Sequence, residues 1–90
     1  MNTFHLEIVT PEEKLFEGRV QSVQVPGMMG SFQVLYNHAP IISTLGKGRL
    51  KFVDDQGSDQ VYETEDGVIE VLNNRAIILV DKLSKAEAEA

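Results

Sequence analysis

Apolar and polar positions alternate from the start of the chain. Phe4, Leu6 and Ile8 alternate with His5 and Glu7, the period-two pattern of a strand with one face buried. Thr10-Pro11-Glu12-Glu13 interrupts it, Leu15 and Phe16 resume, and Glu17-Gly18 predicts a turn before a Val-rich strand over 19–25. Pro26-Gly27 stops that run, since Pro lacks a donor and Gly permits positive φ. A strand is predicted over 31–36. The loop Asn37-His38-Ala39-Pro40 follows, where the residue before Pro is biased to extended geometry.

The β-branched stretch 41–45 leads into the turn Gly46-Lys47-Gly48. Residues 50–53 and 60–64 flank a polar tip and predict a hairpin. A turn at Glu65-Asp66-Gly67 precedes two strands, 68–72 and 76–80, joined at Asn73-Asn74-Arg75. Asn tolerates left-handed backbone, so this junction predicts a tight hairpin. Ile77, Ile78, Leu79 and Val80 form a continuous apolar run, as in a strand covered on both faces or lying against another protein. The tail 82–90 is rich in Ala, Glu and Lys and reads as helical, although nine residues make a marginal helix in water.

Short strands at roughly 8–12-residue spacing predict an all-β sandwich or barrel. The predicted organisation is one β-sandwich domain over 1–82 followed by a polar tail over 83–90.

Length and charge narrow the function. A 90-residue chain makes one domain. It buries only about 60–65% of its unfolded surface, so support from partner surfaces is expected. Without cysteine it has neither disulfides nor thiolate metal ligands. A net charge of -6 repels phosphate backbones and argues against nucleic acid. The N-terminus has no basic segment followed by an apolar one, and the longest apolar run, 76–80, is far short of the roughly 20 residues that span a bilayer. The expectation is a soluble cytoplasmic chain held at a membrane through another protein.

No catalytic constellation emerges. His5 and His38 are the two histidines, and their spacing is not that of a metal site; His5 on an alternating strand reads as a surface or packed residue. His38 lies in a loop, where contact residues concentrate. Asp54, Asp55 and Asp59 near Gly57 do not follow the EF-hand pattern and read as a solvated hairpin tip. Gly27-Met28-Met29-Gly30 matches the bare GXXG of KH domains without their helices or basic surface. Gly46-Lys47-Gly48 lacks the spacer of a phosphate loop. Met28 and Met29, adaptable apolar side chains in a Gly-bounded turn, either cap the core or meet a partner.

Residues 25–43, VPGMMGSFQVLYNHAPIIS, resemble the most recognisable segment of the F-type ATP synthase epsilon-subunit family, V-x-G-x-x-G-x-x-G-I-L-P-G-H-A-P-L-L-T. Phe4-His5-Leu6-Glu7-Ile8-Val9-Thr10-Pro11-Glu12 is similar to that family's F-x-L-x-I-V-(S/T)-P-(E/D), and Leu15-Phe16-Glu17-Gly18-Arg19-Val20 to its L-F-x-G-x-V. Gly67-Val68-Ile69-Glu70-Val71 resembles its G-x-(L/I)-E-V.

The resemblance implies a ten-stranded β-sandwich low on the central stalk of a rotary ATP synthase, bound to the gamma subunit and standing on the c-ring. The implied role is mechanical: a non-catalytic rotor part, stiff because close-packed interiors have low compressibility, that couples proton translocation to ATP synthesis. Family positions against gamma fall on Thr10, His38 and Ser43, and those against the c-ring on Met28, Met29, Gly30 and Ser31. Ser31 replaces a usual acidic residue, which removes a charge pair worth about 0–1 kcal/mol if exposed, and Met28 and Met29 then supply apolar contact. Tyr36-Asn37 replaces Pro-Gly, and Asn can stand in for Gly at positive φ. Many members add a C-terminal helical hairpin. The sequence stops at Ala90, so neither ATP binding nor inhibition by an extended arm is expected, and no cofactor or metal. The implied location is peripheral, on the cytoplasmic face of a bacterial inner membrane. The competing expectation is a carbohydrate-binding sandwich using Tyr36 and Tyr62 as sugar platforms; a small enzyme ranks third.

Overall fold

A computed structural model describes residues 2–85. Nine strands form among them: β1 (Phe4–Val9), β2 (Lys14–Gly27), β3 (Gly30–Val34), β4 (Ile41–Leu45), β5 (Gly48–Asp54), β6 (Asp59–Thr64), β7 (Gly67–Leu72), β8 (Arg75–Val80) and β9 (Leu83–Lys85). Alternation decides which side chains go inside. Phe4, Leu6 and Ile8 of β1 are buried while His5, Glu7 and Val9 face outward, and β8 buries Ala76, Ile78 and Val80 in the same rhythm.

Pairing arranges the strands in two layers. One runs β4-β7-β8-β1, with β1 and β8 parallel and the other neighbours antiparallel. The other runs β3-β2-β5-β6-β9. The long strand β2 belongs to both: Lys14 to Val20 pair with β1, and from Val20 onward the strand pairs with β5 and then β3, with a register shift between Val20 and Ser22. Gly27 also meets Leu45 of β4, which closes the second junction between layers. The resemblance implies ten strands, and nine are seen; β2, serving both layers, counts in each.

A single apolar cluster fills the space between the layers, from Phe4, Leu6 and Ile8 through Val23, Leu50, Phe52, Ile69 and Ile78. Each such side chain contributes about 1.5–3 kcal/mol on burial. Phe52 packs against Phe16 with ring centroids 4.4 Å apart and stacks on Tyr62 at 6.1 Å. Thr64 is the buried polar residue among those described, and its hydroxyl is within hydrogen-bonding distance of the Glu65 and Lys82 carbonyls.

Two sequence expectations change. Glu17-Gly18 makes no turn: β2 passes straight through, with Gly18 opposite Leu6 and the Phe16 ring lying over the space a side chain would fill. The helical expectation fails over Leu83–Lys85, which form β9 on the edge of β6. Open strand backbone offers hydrogen bonds and Leu83 packs on the core, which outweighs helix propensity in so short a segment. The remainder of that tail, 86–90, lies outside the described residues.

Candidate docking surface

Strand register sets the outward face of the β4-β7-β8-β1 layer in rows. One row runs Thr44, Val68, Leu79, Val9; the next Ile42, Glu70, Ile77, Glu7, Glu17; the last Leu72, Arg75, His5, Arg19. On one side of this face stand large apolar groups with no protein over them. Ile42 is 72% exposed, and Leu72 and Leu79 are 51% exposed each. Val9, Val68 and Ile77 are half-buried among them. Exposed Glu70 stands among them, between Ile42 and Ile77 across the strands and between Val68 and Leu72 along β7, so the patch is apolar around one central carboxylate. Scattered exposed apolar residues are ordinary, but a cluster of this kind marks an interaction surface. The run Ile77–Val80 is not covered on both faces: Ile78 and Val80 enter the core and Leu79 faces out.

The other side of the face is ionic. Glu7 Oε1 accepts from Arg75 Nη2 at 2.8 Å and lies 3.2 Å from His5 Nε2. The Arg75 bond first, and the His5 contact second, hold the Glu7 carboxyl below its usual value of 4.5. Lys14 donates to Glu17 Oε1 at 2.8 Å, which raises the Lys14 ammonium above its ordinary value of 10.5.

The structure spreads the expected gamma-facing residues along this layer. Thr10 follows β1, and its hydroxyl and amide close the Pro11-Glu12 turn against Glu13. It lines an open cleft with Glu12, Glu13, Lys47, Glu65 and Asp81. His38 lies at the opposite end of the layer, beside the β7–β8 turn; the register of β8 puts the two ends about 20 Å apart at roughly 3.3 Å per residue. Asn37 has φ 65° and donates its amide to Asn74 Oδ1 at 2.6 Å, while Asn74 Nδ2 donates back to Asn37 Oδ1 at 3.0 Å. This pair pins the loop, and His38 Nδ1 donates to the Ala39 carbonyl at 2.7 Å. Ser43 is opposite buried Ile69, so it turns toward the core and the outward neighbour is Ile42. Sequence reasoning passed over Ile42 and Leu72 and noticed Leu79 only within the run Ile77–Val80; the available signal was the place of each in a period-two pattern whose other phase fills the core.

The expected c-ring residues form one tip. Gly27 pairs with Gly30 across the two-residue turn Met28-Met29, and Gly30 takes φ 132°. Met29 is fully exposed at 101%, and Met28, 62% exposed, lies over Gly46 and donates its amide to the Thr44 carbonyl at 3.0 Å. Ser31 stands on β3 opposite Pro26, its hydroxyl donating to the Val25 carbonyl at 3.2 Å. Of the two tyrosines offered as sugar platforms, Tyr62 is stacked on Phe52, which leaves Tyr36 exposed. No helix among the described residues is long and apolar enough to cross a membrane.

Comparison with known proteins agrees with this architecture. The family profile described as ATP synthase, Delta/Epsilon chain, beta-sandwich domain matches residues 3–86. The ATP synthase epsilon chain of Chlorobaculum tepidum is 38% identical over 81 residues, covering 90% of this chain and 92% of the relative. That of Chlorobium limicola gives the same identity and coverage. Among solved structures, a chain of the Euglena gracilis mitochondrial ATP synthase (OSCP/F1/c-ring, rotational state 1) is similar with a TM-score of 0.87 at 18% identity, covering 92% of this chain and 53% of that one. A chain of the Tetrahymena thermophila mitochondrial ATP synthase central stalk/c-ring is similar with a TM-score of 0.75 at 17% identity, covering 90% of this chain and 65% of that one. This chain therefore spans about half to two thirds of those structural neighbours.

Proposed function

The chain belongs to the ATP synthase epsilon-chain family, and from that membership we infer that it is a non-catalytic central-stalk subunit, bound to gamma and to the c-ring. In this role it carries torque between ring and shaft and so couples proton translocation to ATP synthesis. ATP synthases are membrane-associated complexes; we place this chain on the cytoplasmic face of a bacterial inner membrane, held there through its partners. The sandwich is the working body, and it takes in Leu83–Lys85 as β9, so the expected boundary at residue 82 is moved: Leu83 packs on the core instead of beginning a polar tail.

The observation that carries the reading is the uncovered apolar side of the β4-β7-β8-β1 face. Ile42, Leu72 and Leu79 stand exposed on a small rigid sheet, arranged to be covered by a partner of complementary shape. We assign this face to gamma, with Thr10 and His38 marking its two ends and Ser43 supporting it from the inward side of β4. The Met28-Met29-Gly30-Ser31 tip, which carries the most exposed large apolar side chain among the described residues, Met29, we assign to the c-ring.

The test is co-purification with gamma. Wild type is expected to be retained, and the double variant Ile42→Asp, Leu79→Asp to be lost while keeping its thermal midpoint, because both side chains already face solvent. Retention of the variant at wild-type level would overturn the assignment of this face.

A further inference from the structure

We propose that His5, Glu7 and Glu17 form a binding site for a divalent transition-metal ion, with Zn2+ the best fit. Residues two apart on a strand share a face, so His5 and Glu7 of β1 project together, and register sets Glu17 of β2 directly opposite Glu7. Among the described residues, this is the group of histidine and carboxylate side chains whose ligand atoms all lie within 4.8 Å of one another.

The two distances from His5 are those of a coordination shell, and the two carboxylate oxygens lie within 4.8 Å of each other. Ligands at about 2.0–2.1 Å from a tetrahedral ion stand about 3.4 Å apart. Here His5 Nε2 lies 3.2 Å from Glu7 Oε1 and 3.2 Å from Glu17 Oε2. One imidazole nitrogen offers one proton or one lone pair, so it cannot satisfy two carboxylate oxygens equally. A cation at the centre satisfies all three lone pairs together. It also removes the repulsion of like charges placed directly across a sheet.

The surroundings supply the support that ligating carboxylates need. Arg75 donates at 2.8 Å to the same Glu7 Oε1 that faces His5, and Lys14 holds the other oxygen of Glu17, leaving Glu17 Oε2 turned toward His5. The Glu17 side chain is 43% exposed, so water can reach the fourth position. An imidazole with two carboxylates suits Zn2+, whereas Ca2+ and Mg2+ favour six or more oxygens. The site would tie β1 to the first half of β2, on the edge of the face assigned to docking.

The test is titration calorimetry of the untagged full chain with Zn2+ in a non-chelating buffer, using wild type and His5→Gln, Glu17→Gln and His38→Gln. Wild type and His38→Gln are expected to bind one ion per chain. His5→Gln and Glu17→Gln should bind at least about tenfold more weakly, since even supporting partners are worth that much. Glu17 is exposed, so its variant keeps the fold, which circular dichroism checks. Co2+ in place of Zn2+ should give the intense visible bands of four-coordinate geometry in wild type and lose them in His5→Gln. No saturable uptake by wild type, or equal uptake by His5→Gln, would reduce the cluster to an ion-pair network and overturn the proposal.

Discussion

Glu7 shows how one residue couples to acidity. Its carboxyl is held low by the Arg75 hydrogen bond and then by His5. A carboxyl whose folded value lies below its unfolded value binds fewer protons when folded. Its contribution is complete above the usual carboxylate value and is lost as pH falls through the lowered one. Lys14 works in the opposite sense, stabilising below its ordinary value and ceasing to do so as pH rises through the raised one. Both groups meet solvent, so the effects are small. Glu7→Gln is therefore expected to lower the urea midpoint slightly at neutral pH and to flatten its fall through the carboxylate range. Urea titrations of wild type and variant across that range measure it; parallel curves would contradict the linkage.

Elements follow from register more than from composition. Gly67 begins β7 opposite Val80, and a Cβ there would overlap the Leu79 carbonyl oxygen and the Val80 side chain. Gly67→Ala must push two strands apart, and chemical denaturation should show a loss of about 1–3 kcal/mol. The hairpin at Asn73-Asn74 was legible in the sequence, and both residues take positive φ, 50° and 60°, as a two-residue turn of that chemistry requires. The hairpin around Asp54 was legible too, with the carboxylate accepting the Gln56 and Ser58 amides at 2.9 Å. What could not be seen were relations across strands. Nothing local tells Ile42 from Ile41; only their pairing with Glu70 and Val71 sends one outward and one toward the core. Likewise His5 and Glu7 suggest a packed or surface pair until β2 supplies Glu17. The unbroken course of β2 was hidden because Gly18 and Pro26 look like stops when read without their partners, Leu6 and Ser31.

At the scale of the whole molecule the two sides of the outer face differ in how salt should act on them. Exposed ion pairs are screened over a Debye length of about 8–10 Å in physiological salt, whereas apolar contact is not. If Ile42, Leu72 and Leu79 carry gamma binding, the affinity should change little as sodium chloride is raised from low to physiological levels. A steep loss in fluorescence or calorimetric titrations would instead place the binding energy on His5, Glu7, Glu17 and Arg75. The same comparison on the Met28-Met29 tip tests whether the c-ring contact proposed for it is apolar, as a hydroxyl at Ser31 in place of a carboxylate would imply.

β2 leaves one layer at Val20 and enters the other without a chain break. Two stacked sheets joined only by side-chain packing could slide over one another like cards. Here any such slip has to stretch a continuous main chain, and Gly27 locks against Leu45 at the far corner. A twist applied at one face therefore reaches the opposite face through covalent bonds, and the block turns without play.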